Sequence, residues 1–164
     1  MFVIAEIESI SNLLKVATRL TDMRFGAISH MTDTHWTACA VHDELDFGIA
    51  VGDAFEIERM LCGELRVNPH PIIVGDVRSD SNYFDHNIPK LYGIESFVSI
   101  PIVFLDGSVF GSLCMLDYAP KKIDCPRVID VLKATVKLFS IALELRQKSA
   151  CIASSSGTLY LKVN

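Results

Sequence analysis

Two apolar segments joined by a short turn constrain the fold more than any other feature of the sequence. Glu95 to Phe104 and Val109 to Asp117 have the composition of β-strands, and Leu105-Asp106-Gly107-Ser108 lies between them. An Asp-Gly pair between two apolar runs is typical of a tight β-hairpin turn. Because a hairpin joins antiparallel neighbours, the chain is predicted to contain an antiparallel sheet.

A second hairpin is predicted near the N-terminus. Met23 to Met31 and Thr34 to His42 have strand-like patterns, and Thr32-Asp33 forms the turn between them. Three residues of the returning strand are predicted to share one side: Trp36, Ala38 and Ala40. With the short apolar run Ile72-Ile73-Val74, these segments predict a sheet of about five to six strands.

Helical periodicity is found at both ends of this strand-rich region. The spacing from about residue 5 to residue 20 predicts a helix, and Glu56 to Val67 and Cys125 to Lys148 predict two more. The apolar face of the first helix consists of Ile7, Ile10, Leu14 and Ala17. The terminal helices are expected to cover one side of the sheet. The opposite side would then face the long loop Gly75 to Gly93, and a concave site for a small ligand is expected there.

The last predicted helix has two apolar stripes. A helix that packs only on its own sheet needs one, so the second indicates either a dimer partner or a wide core face. The stripe assigned to a dimer interface consists of Val128, Val131, Thr135, Leu138, Ala142 and Leu145. The neighbouring stripe consists of Leu132, Val136, Phe139 and Leu143.

Length and charge limit the possible classes of protein. The 164 residues fit one domain, predicted over residues 1–149. Residues 150–164 form a C-terminal tail of unknown role, predicted to be a linker plus a short extended piece. The net charge of −5 argues against nucleic-acid binding.

Other features bear on location. The sequence contains no apolar run long enough to insert into a membrane. Glu6 and Glu8 are not typical of a secretory signal. The five cysteines show no pairing that would suggest a disulfide framework. A reducing cytoplasm is therefore the expected location.

Three segments resemble those of a known family in their order and spacing. The first pairs Phe25-Gly26-Ala27-Ile28-Ser29 with Thr37-Ala38-Cys39-Ala40. The second joins Val74-Gly75-Asp76-Val77 and Asp80 to the run from Tyr92 to Ile102, and the third is Gly111-Ser112-Leu113-Cys114-Met115-Leu116-Asp117. Over roughly residues 5 to 148 the chain is similar to the GAF domain. This is the small-molecule sensing fold of cyclic-nucleotide phosphodiesterases, phytochromes and bacterial histidine kinases.

The resemblance implies an α/β (α+β), GAF-like and PAS-related fold. It has a central antiparallel sheet, terminal helices on one face and a ligand-type pocket under loops on the other. It also implies a bacterial sensory domain that binds a small molecule and signals through the helices of a homodimer. The expected partner is a kinase or a cyclic-di-nucleotide enzyme. The alternative is a structural dimerisation module without a ligand. The residues expected at the pocket are Trp36, Asp76, Tyr83, Phe84, His86, Tyr92, Ser99 and Cys114.

Three residues of these motifs also have local physical explanations. Asp76 follows a buried strand and is expected to cap the next turn through its carboxylate. Gly111 is expected where two backbones approach closely. Pro101 lies within a strand and lacks a donor, which indicates an edge or an irregularity.

No catalytic constellation is found, so the chain is not expected to be an enzyme. A third alternative is a thiol enzyme, because Cys62 in Leu61-Cys62-Gly63-Glu64 resembles one cysteine of the family's free methionine sulfoxide reductases. The expected partner cysteine is absent from residues 79–93, and a thiol redox cycle needs a second thiol close by. Cys62 is therefore expected to be a small apolar helix residue.

The cofactor is left unknown by the sequence. Covalent bilin attachment is not expected, because no cysteine is followed by histidine, and His86 has no adjacent thiol. Haem and metal binding are not expected either, because the histidines are not at ligand spacing.

Overall fold

The computed structural model describes residues 8–163, with side chains from residue 10 to residue 152, so Ile7 of the predicted helix lies outside the described residues. The helices are α1 (Glu8–Thr21), α2 (Asn87–Tyr92) and α3 (Pro126–Val163). The strands are β1 (Phe25–Met31), β2 (His35–Asp43), β3 (Ala54–Glu56), β4 (Ile72–Val74), β5 (Ser96–Val103) and β6 (Val109–Asp117).

Within the described residues, six antiparallel strands form one sheet in the order β3-β2-β1-β6-β5-β4. The two predicted hairpins are confirmed as β1–β2 and β5–β6. They lie side by side because β1 pairs with β6, with Ser29 opposite Ser112. The first and last strands of the domain are therefore neighbours at the centre of the sheet.

The two terminal helices cover one face of this sheet, as predicted. Ile10, Leu14 and Ala17 of α1 are buried in the same apolar cluster as Ile28 of β1 and Val98 of β5. In α3 the buried stripe is the second one: Leu132, Val136, Phe139 and Leu143. No helix in the described part of the chain combines the length and the apolar character that a membrane crossing requires.

The opposite face is covered by loops, 3-10 turns and the short helix α2. The predicted helix from Glu56 to Val67 is wrong: the chain forms two 3-10 turns, Ile57–Arg59 and Gly63–Arg66. An ideal Cβ at Gly63 would lie 2.5 Å from the carbonyl oxygen of Ile57. The backbone folds back on itself at this glycine, which a straight α-helix cannot do.

One predicted face of β2 is also corrected. The β1–β2 register shifts between Ile28 and Ser29, which stand opposite Ala40 and Ala38. The extra residue between those alanines is Cys39, and a β-bulge of this kind reverses the alternation of side chains. Trp36 and Ala38 therefore pack on the irregular face, whereas Ala40 packs against the helix-covered cluster.

The predicted linker and extended piece after residue 150 are wrong, because α3 continues to Val163. The tail contains no proline, and its glycine, Gly157, lowers the stability of a helix without ending it. The helix predicted to end at Lys148 and the tail after it therefore form one helix of 38 residues.

Three local expectations from the motifs are confirmed. The Asp76 carboxylate accepts hydrogen bonds from the Arg78 N–H at 3.0 Å and the Ser79 hydroxyl at 3.2 Å, and so caps a 3-10 turn. An ideal Cβ at Gly111 would lie 1.8 Å from the Ser29 carbonyl oxygen. Pro101 lies past the residues of β5 that pair with β4, so its missing donor costs the sheet no β4–β5 bond.

Candidate ligand-binding site

A cavity of about 370 Å³ lies on the sheet face opposite the terminal helices. The strands β1, β2, β5 and β6 form its floor, and the segments around residues 47–49, 59–62 and 88–94 form its walls. Most of its lining is apolar, notably Phe25, Trp36, Phe47, Ile49, Ile94 and Phe97. Ligand sites of proteins are typically concave, apolar and furnished with a few polar groups.

The wall formed by Phe47 is held in place by a carboxylate. Asp43, at the end of β2, accepts hydrogen bonds from the backbone N–H groups of Leu45 at 2.9 Å and of Phe47 and Gly48 at 3.1 Å each. The Phe47 ring then packs against Phe25, with ring centroids 5.2 Å apart. This loop therefore has a defined position over the sheet.

A row of polar groups crosses the sheet and reaches the cavity at Ser99 and Cys114. The hydroxyl oxygens of Ser29 and Ser112 hydrogen-bond at 3.0 Å. The Cys114 sulfur lies 2.9 Å from the Ser112 oxygen and 3.4 Å from the Ser99 oxygen. We call these four residues the serine–thiol row. They follow from strand pairing, because Ser29 stands opposite Ser112, and Ser99 stands opposite Cys114.

A second thiol lies beside this row. Cys62 is buried just before the 3-10 turn Gly63–Arg66 and lines the same cavity as Cys114. Interaction with the Cys62 thiol lowers the pKa of the Cys114 thiol. Burial opposes that change, whereas Ser112 and Ser99 reinforce it. The same interaction raises the pKa of Cys62, so the negative charge of the pair rests on Cys114.

The indole of Trp36 lines the same cavity. The residue is 1 % exposed, and its Nε1–H has no hydrogen-bond partner among the residues that the structure describes. The group lies near enough to the Cys114 sulfur to lower the pKa of that thiol. A buried donor without an acceptor is costly, and a negatively charged or oxidised sulfur would supply one.

A second cavity, of about 620 Å³, shares Met60 and Leu61 with the first but has a polar lining. The Tyr83 hydroxyl donates to Glu64 at 3.0 Å. Burial, together with this carboxylate, raises the pKa of Tyr83. The Nδ1 atom of His86 accepts from the Ile88 N–H at 3.2 Å and caps α2. The polar atoms of Tyr83 and His86 are therefore already hydrogen-bonded within the protein.

The residues predicted for the pocket are divided among three places. Those that line the first cavity are Trp36, Tyr92, Ser99 and Cys114. Tyr83 and His86 line the second. Asp76 and Phe84 lie outside both, since Asp76 caps its own turn and Phe84 is exposed on the loop.

Several residues of the first cavity were not predicted from the sequence. Phe47 and Ile49 lie in a loop marked by Gly48 and Gly52, and two large apolar residues in such a loop were the available signal. Phe97 could have been found from alternation, because it lies two residues before Ser99. Nothing in the sequence placed Cys62 beside Cys114.

Possible metal ligands are not grouped among the side chains that the structure describes. No cluster of three or more His, Cys, Asp or Glu side chains that could hold a metal ion occurs between residues 10 and 152. His30 packs against the Phe110 ring at a centroid distance of 4.8 Å, and burial lowers the pKa of the histidine. His42 lies 3.0 Å from the Glu44 carboxylate.

The stripe predicted for a dimer interface lies on the outer side of α3. Val131, Leu138 and Leu145 are exposed large apolar residues, and Leu138 is 69 % exposed. Ala142 is exposed as well, whereas Val128 and Thr135 are half-buried. Val128 also packs against the buried cluster, so the stripe faces outward mainly at Val131, Leu138 and Leu145.

The fold is similar to several solved structures. One is the blue-light absorbing form of the PixJ GAF domain from Thermosynechococcus elongatus, with a TM-score of 0.65, 16% identity and coverage of 87% of this chain and 88% of that one. Another is the GAF domain region of a protein described as a membrane protein from Geobacter sulfurreducens, with a TM-score of 0.66, 16% identity and coverage of 84% and 91%.

A third is a domain of a protein described as a two-component sensor histidine kinase from Sinorhizobium meliloti. It has a TM-score of 0.62, 14% identity and coverage of 90% of this chain and 97% of that one. No curated protein sequence matches the chain significantly. The family model of the GAF domain matches residues 6–143. This match takes in the whole sheet and the packed part of both terminal helices, and the chain belongs to the GAF domain family.

Proposed function

We propose that this chain is a sensory domain that binds a small, uncharged and largely apolar molecule in the first cavity. The cavity itself is the observation that carries the proposal. Its volume of about 370 Å³ falls within the range of about 300–1,000 Å³ that is usual for ligand pockets. Its walls are rings and aliphatic side chains, and its few polar groups lie together on the floor.

The lining favours an uncharged ligand. The charged side chain at the cavity is Arg59, which is exposed and paired with Glu56 at 3.2 Å. A charged ligand would lose its hydration without gaining a buried counter-charge, which is costly. A hydrogen-bond acceptor on the ligand would suit the unpartnered Nε1–H of Trp36.

A change in the cavity would reach the helices through alternation in β5. Phe97 packs on the cavity face, and Val98 packs in the cluster that contains α1 and α3 residues. Because neighbouring strand residues point to opposite faces, a ligand that displaces β5 also shifts the surface on which α3 rests. A sensor requires a ligand that binds one arrangement of the sheet and helices more tightly than the other.

We also propose that two copies associate through the exposed stripe of α3, centred on Leu138. An apolar stripe on a long surface helix is typical of helix pairing. A dimer would align the C-terminal parts of α3, which is where an output partner such as a kinase or a cyclic-di-nucleotide enzyme would respond. The similarity to a domain described as part of a sensor histidine kinase supports this choice. All five cysteines are free thiols, in keeping with a cytoplasmic location.

Native mass spectrometry of protein purified from its own organism tests the proposal. We expect a dimer that carries one small molecule per chain. The variant Ile49→Trp fills the cavity at its loop wall and should lose this molecule. The matched variant Val51→Trp changes a 61 % exposed residue of the same loop outside the cavity and should keep it. A ligand-free dimer would favour the structural dimerisation module, and a ligand-free monomer would contradict both parts of the proposal.

A further inference from the structure

Two thiols from distant parts of the sequence meet at the first cavity. Cys114 lies in β6, and Cys62 lies just before the 3-10 turn Gly63–Arg66, which packs against β6. Both line the cavity, and each thiol shifts the pKa of the other. Residues 79–93 contain no cysteine, and the second thiol beside Cys62 is Cys114 of strand β6.

The Cys114 sulfur is surrounded by groups that stabilise negative charge. Ser112 and Ser99 place hydroxyl oxygens 2.9 Å and 3.4 Å from it. Together with the Cys62 thiol, these contacts lower the pKa of Cys114 against the effect of burial. The thiolate is the nucleophilic form of cysteine, so the nucleophile of the pair is Cys114 and its neighbour Cys62 is the protonated thiol.

The unpartnered donor of Trp36 is the second observation. Its Nε1–H is buried beside Cys114 and lacks an acceptor in the described part of the chain. In contrast, every polar side chain of the serine–thiol row has a partner at hydrogen-bond distance. An oxygen atom bound to the Cys114 sulfur would give the indole N–H an acceptor.

We propose that Cys114 and Cys62 form a redox-active pair that a small uncharged hydroperoxide converts to a disulfide inside the cavity. In the first step the Cys114 thiolate attacks the peroxide and breaks its O–O bond. With one proton taken up, this yields a sulfenic acid and an alcohol, or water where the oxidant is hydrogen peroxide. In the second step the Cys62 thiol attacks the sulfenic sulfur. The S–S bond forms, and the hydroxyl group leaves as water with the thiol proton.

The lining of the cavity selects the oxidant. Its apolar walls admit an uncharged organic hydroperoxide or hydrogen peroxide more readily than a charged oxidant. A disulfide would draw the 3-10 turn Gly63–Arg66 towards β6 and change the cavity wall. This inference goes beyond the proposed function and does not depend on a reversible ligand.

Cys39 provides a built-in control within the same chain. It is half-buried in β2, and burial raises the pKa of its thiol. A difference of one pKa unit changes the thiolate fraction about tenfold below both pKa values, so Cys114 should react at least about tenfold faster than Cys39. Cys125 and Cys151 are exposed and are replaced by serine in the protein used for the test.

The test is peptide mapping after treatment with one equivalent of cumene hydroperoxide, followed by capping with N-ethylmaleimide. Trypsin cleaves after lysine and arginine, so Cys62 is released in residues 60–66 and Cys114 in residues 91–121. We expect these two peptides to be joined by a disulfide, and the Cys39 peptide to carry the cap. Two separate capped peptides after complete consumption of the oxidant would overturn the proposal.

Variants separate the two steps. Cys62→Ser should stop at the sulfenic acid of Cys114, which dimedone traps, whereas Cys114→Ser should leave Cys62 reduced. A Cys62→Ser protein without a dimedone adduct would contradict the assigned nucleophile. The disulfide map of the protein that keeps both Cys62 and Cys114 tests the proposal even if one of these variants fails to fold. Binding of a neutral probe to the reduced wild-type protein is measured separately, so that loss of the redox pair and loss of the ligand site give different results.

Discussion

The carboxylate of Asp117 holds the side chain and the backbone of Arg24 at once. Its oxygens accept from Arg24 Nη2 at 2.9 Å, Nε at 3.0 Å and the backbone N–H at 3.0 Å. One oxygen also accepts from the Ala119 N–H at 2.9 Å. Asp117 is 0 % exposed, whereas about half of the Arg24 side chain is exposed. The last residue of β6 is thereby tied to the residue before β1.

Removing this carboxylate should destabilise the domain without touching the cavity. Asp117→Ala leaves the Ala119 N–H and the Arg24 groups without their acceptor, at an expected cost of about 3 kcal/mol. The measurement is urea unfolding of both proteins at neutral pH. Asp124→Ala is the control, because Asp124 is exposed, and its effect should stay within about 0.5 kcal/mol. Equal effects of the two substitutions would contradict the role assigned to Asp117.

The same carboxylate predicts a loss of stability in acid. Burial opposes ionisation of Asp117, but Arg24 and the backbone N–H groups outweigh it and lower the pKa of the carboxyl group. The stabilisation is therefore present above the unfolded pKa of about 3.9 and is lost as the pH falls through the lower folded value. Urea unfolding at several pH values should show wild type and Asp117→Ala converging in acid. A gap that stays constant through the acid range would refute this prediction.

Gly111 marks the closest approach of β1 and β6. In Gly111→Ala the new methyl group would meet the Ser29 carbonyl oxygen at 1.8 Å, so the strands must separate. We expect a loss of about 3 kcal/mol in the free energy of unfolding, at the upper end of overpacking effects. Gly26→Ala is the comparison, because the nearest atom there is a Thr18 methyl carbon at 3.0 Å, which can move. A larger loss for Gly26→Ala would show that the close approach is not the limiting contact.

The dimer is tested on α3. Leu138→Glu should yield folded monomer by light scattering, because it places charge in the proposed apolar interface. Leu105→Glu is the matched control: Leu105 is 70 % exposed but lies in the β5–β6 turn, so the dimer should persist. Wild-type protein that is monomeric at high concentration would exclude the interface.

The sequence predicted the sheet well because its hairpins are local. The turn at Asp106-Gly107 and the run Val109 to Asp117 predicted β6 with the bounds that the structure has. The Leu132 and Leu138 stripes of α3 were distinguished by spacing alone, and the first is buried while the second is mostly exposed. Local patterns of this kind depend on neighbours within a few residues.

The irregular face could not be predicted in the same way. The two 3-10 turns and the bulge at Cys39 break the helical and strand periodicity on which such predictions depend. Most of the predicted pocket residues lie in the long loop Gly75 to Gly93, whereas part of the wall of the first cavity is formed by Phe47 and Ile49. The meeting of Cys62 with Cys114 depends on how that face folds, so neither cysteine alone revealed it.

The central claim is that the first cavity binds a small uncharged apolar molecule. Fluorescence titration with N-phenyl-1-naphthylamine, a neutral probe that brightens in apolar surroundings, tests it most directly. We predict saturable binding of one probe per chain by the wild type and by Val51→Trp, with at least about tenfold weaker binding by Ile49→Trp, a loss of about 1.4 kcal/mol. Absence of saturable binding by the wild type, or equal binding by all three proteins, would contradict the claim.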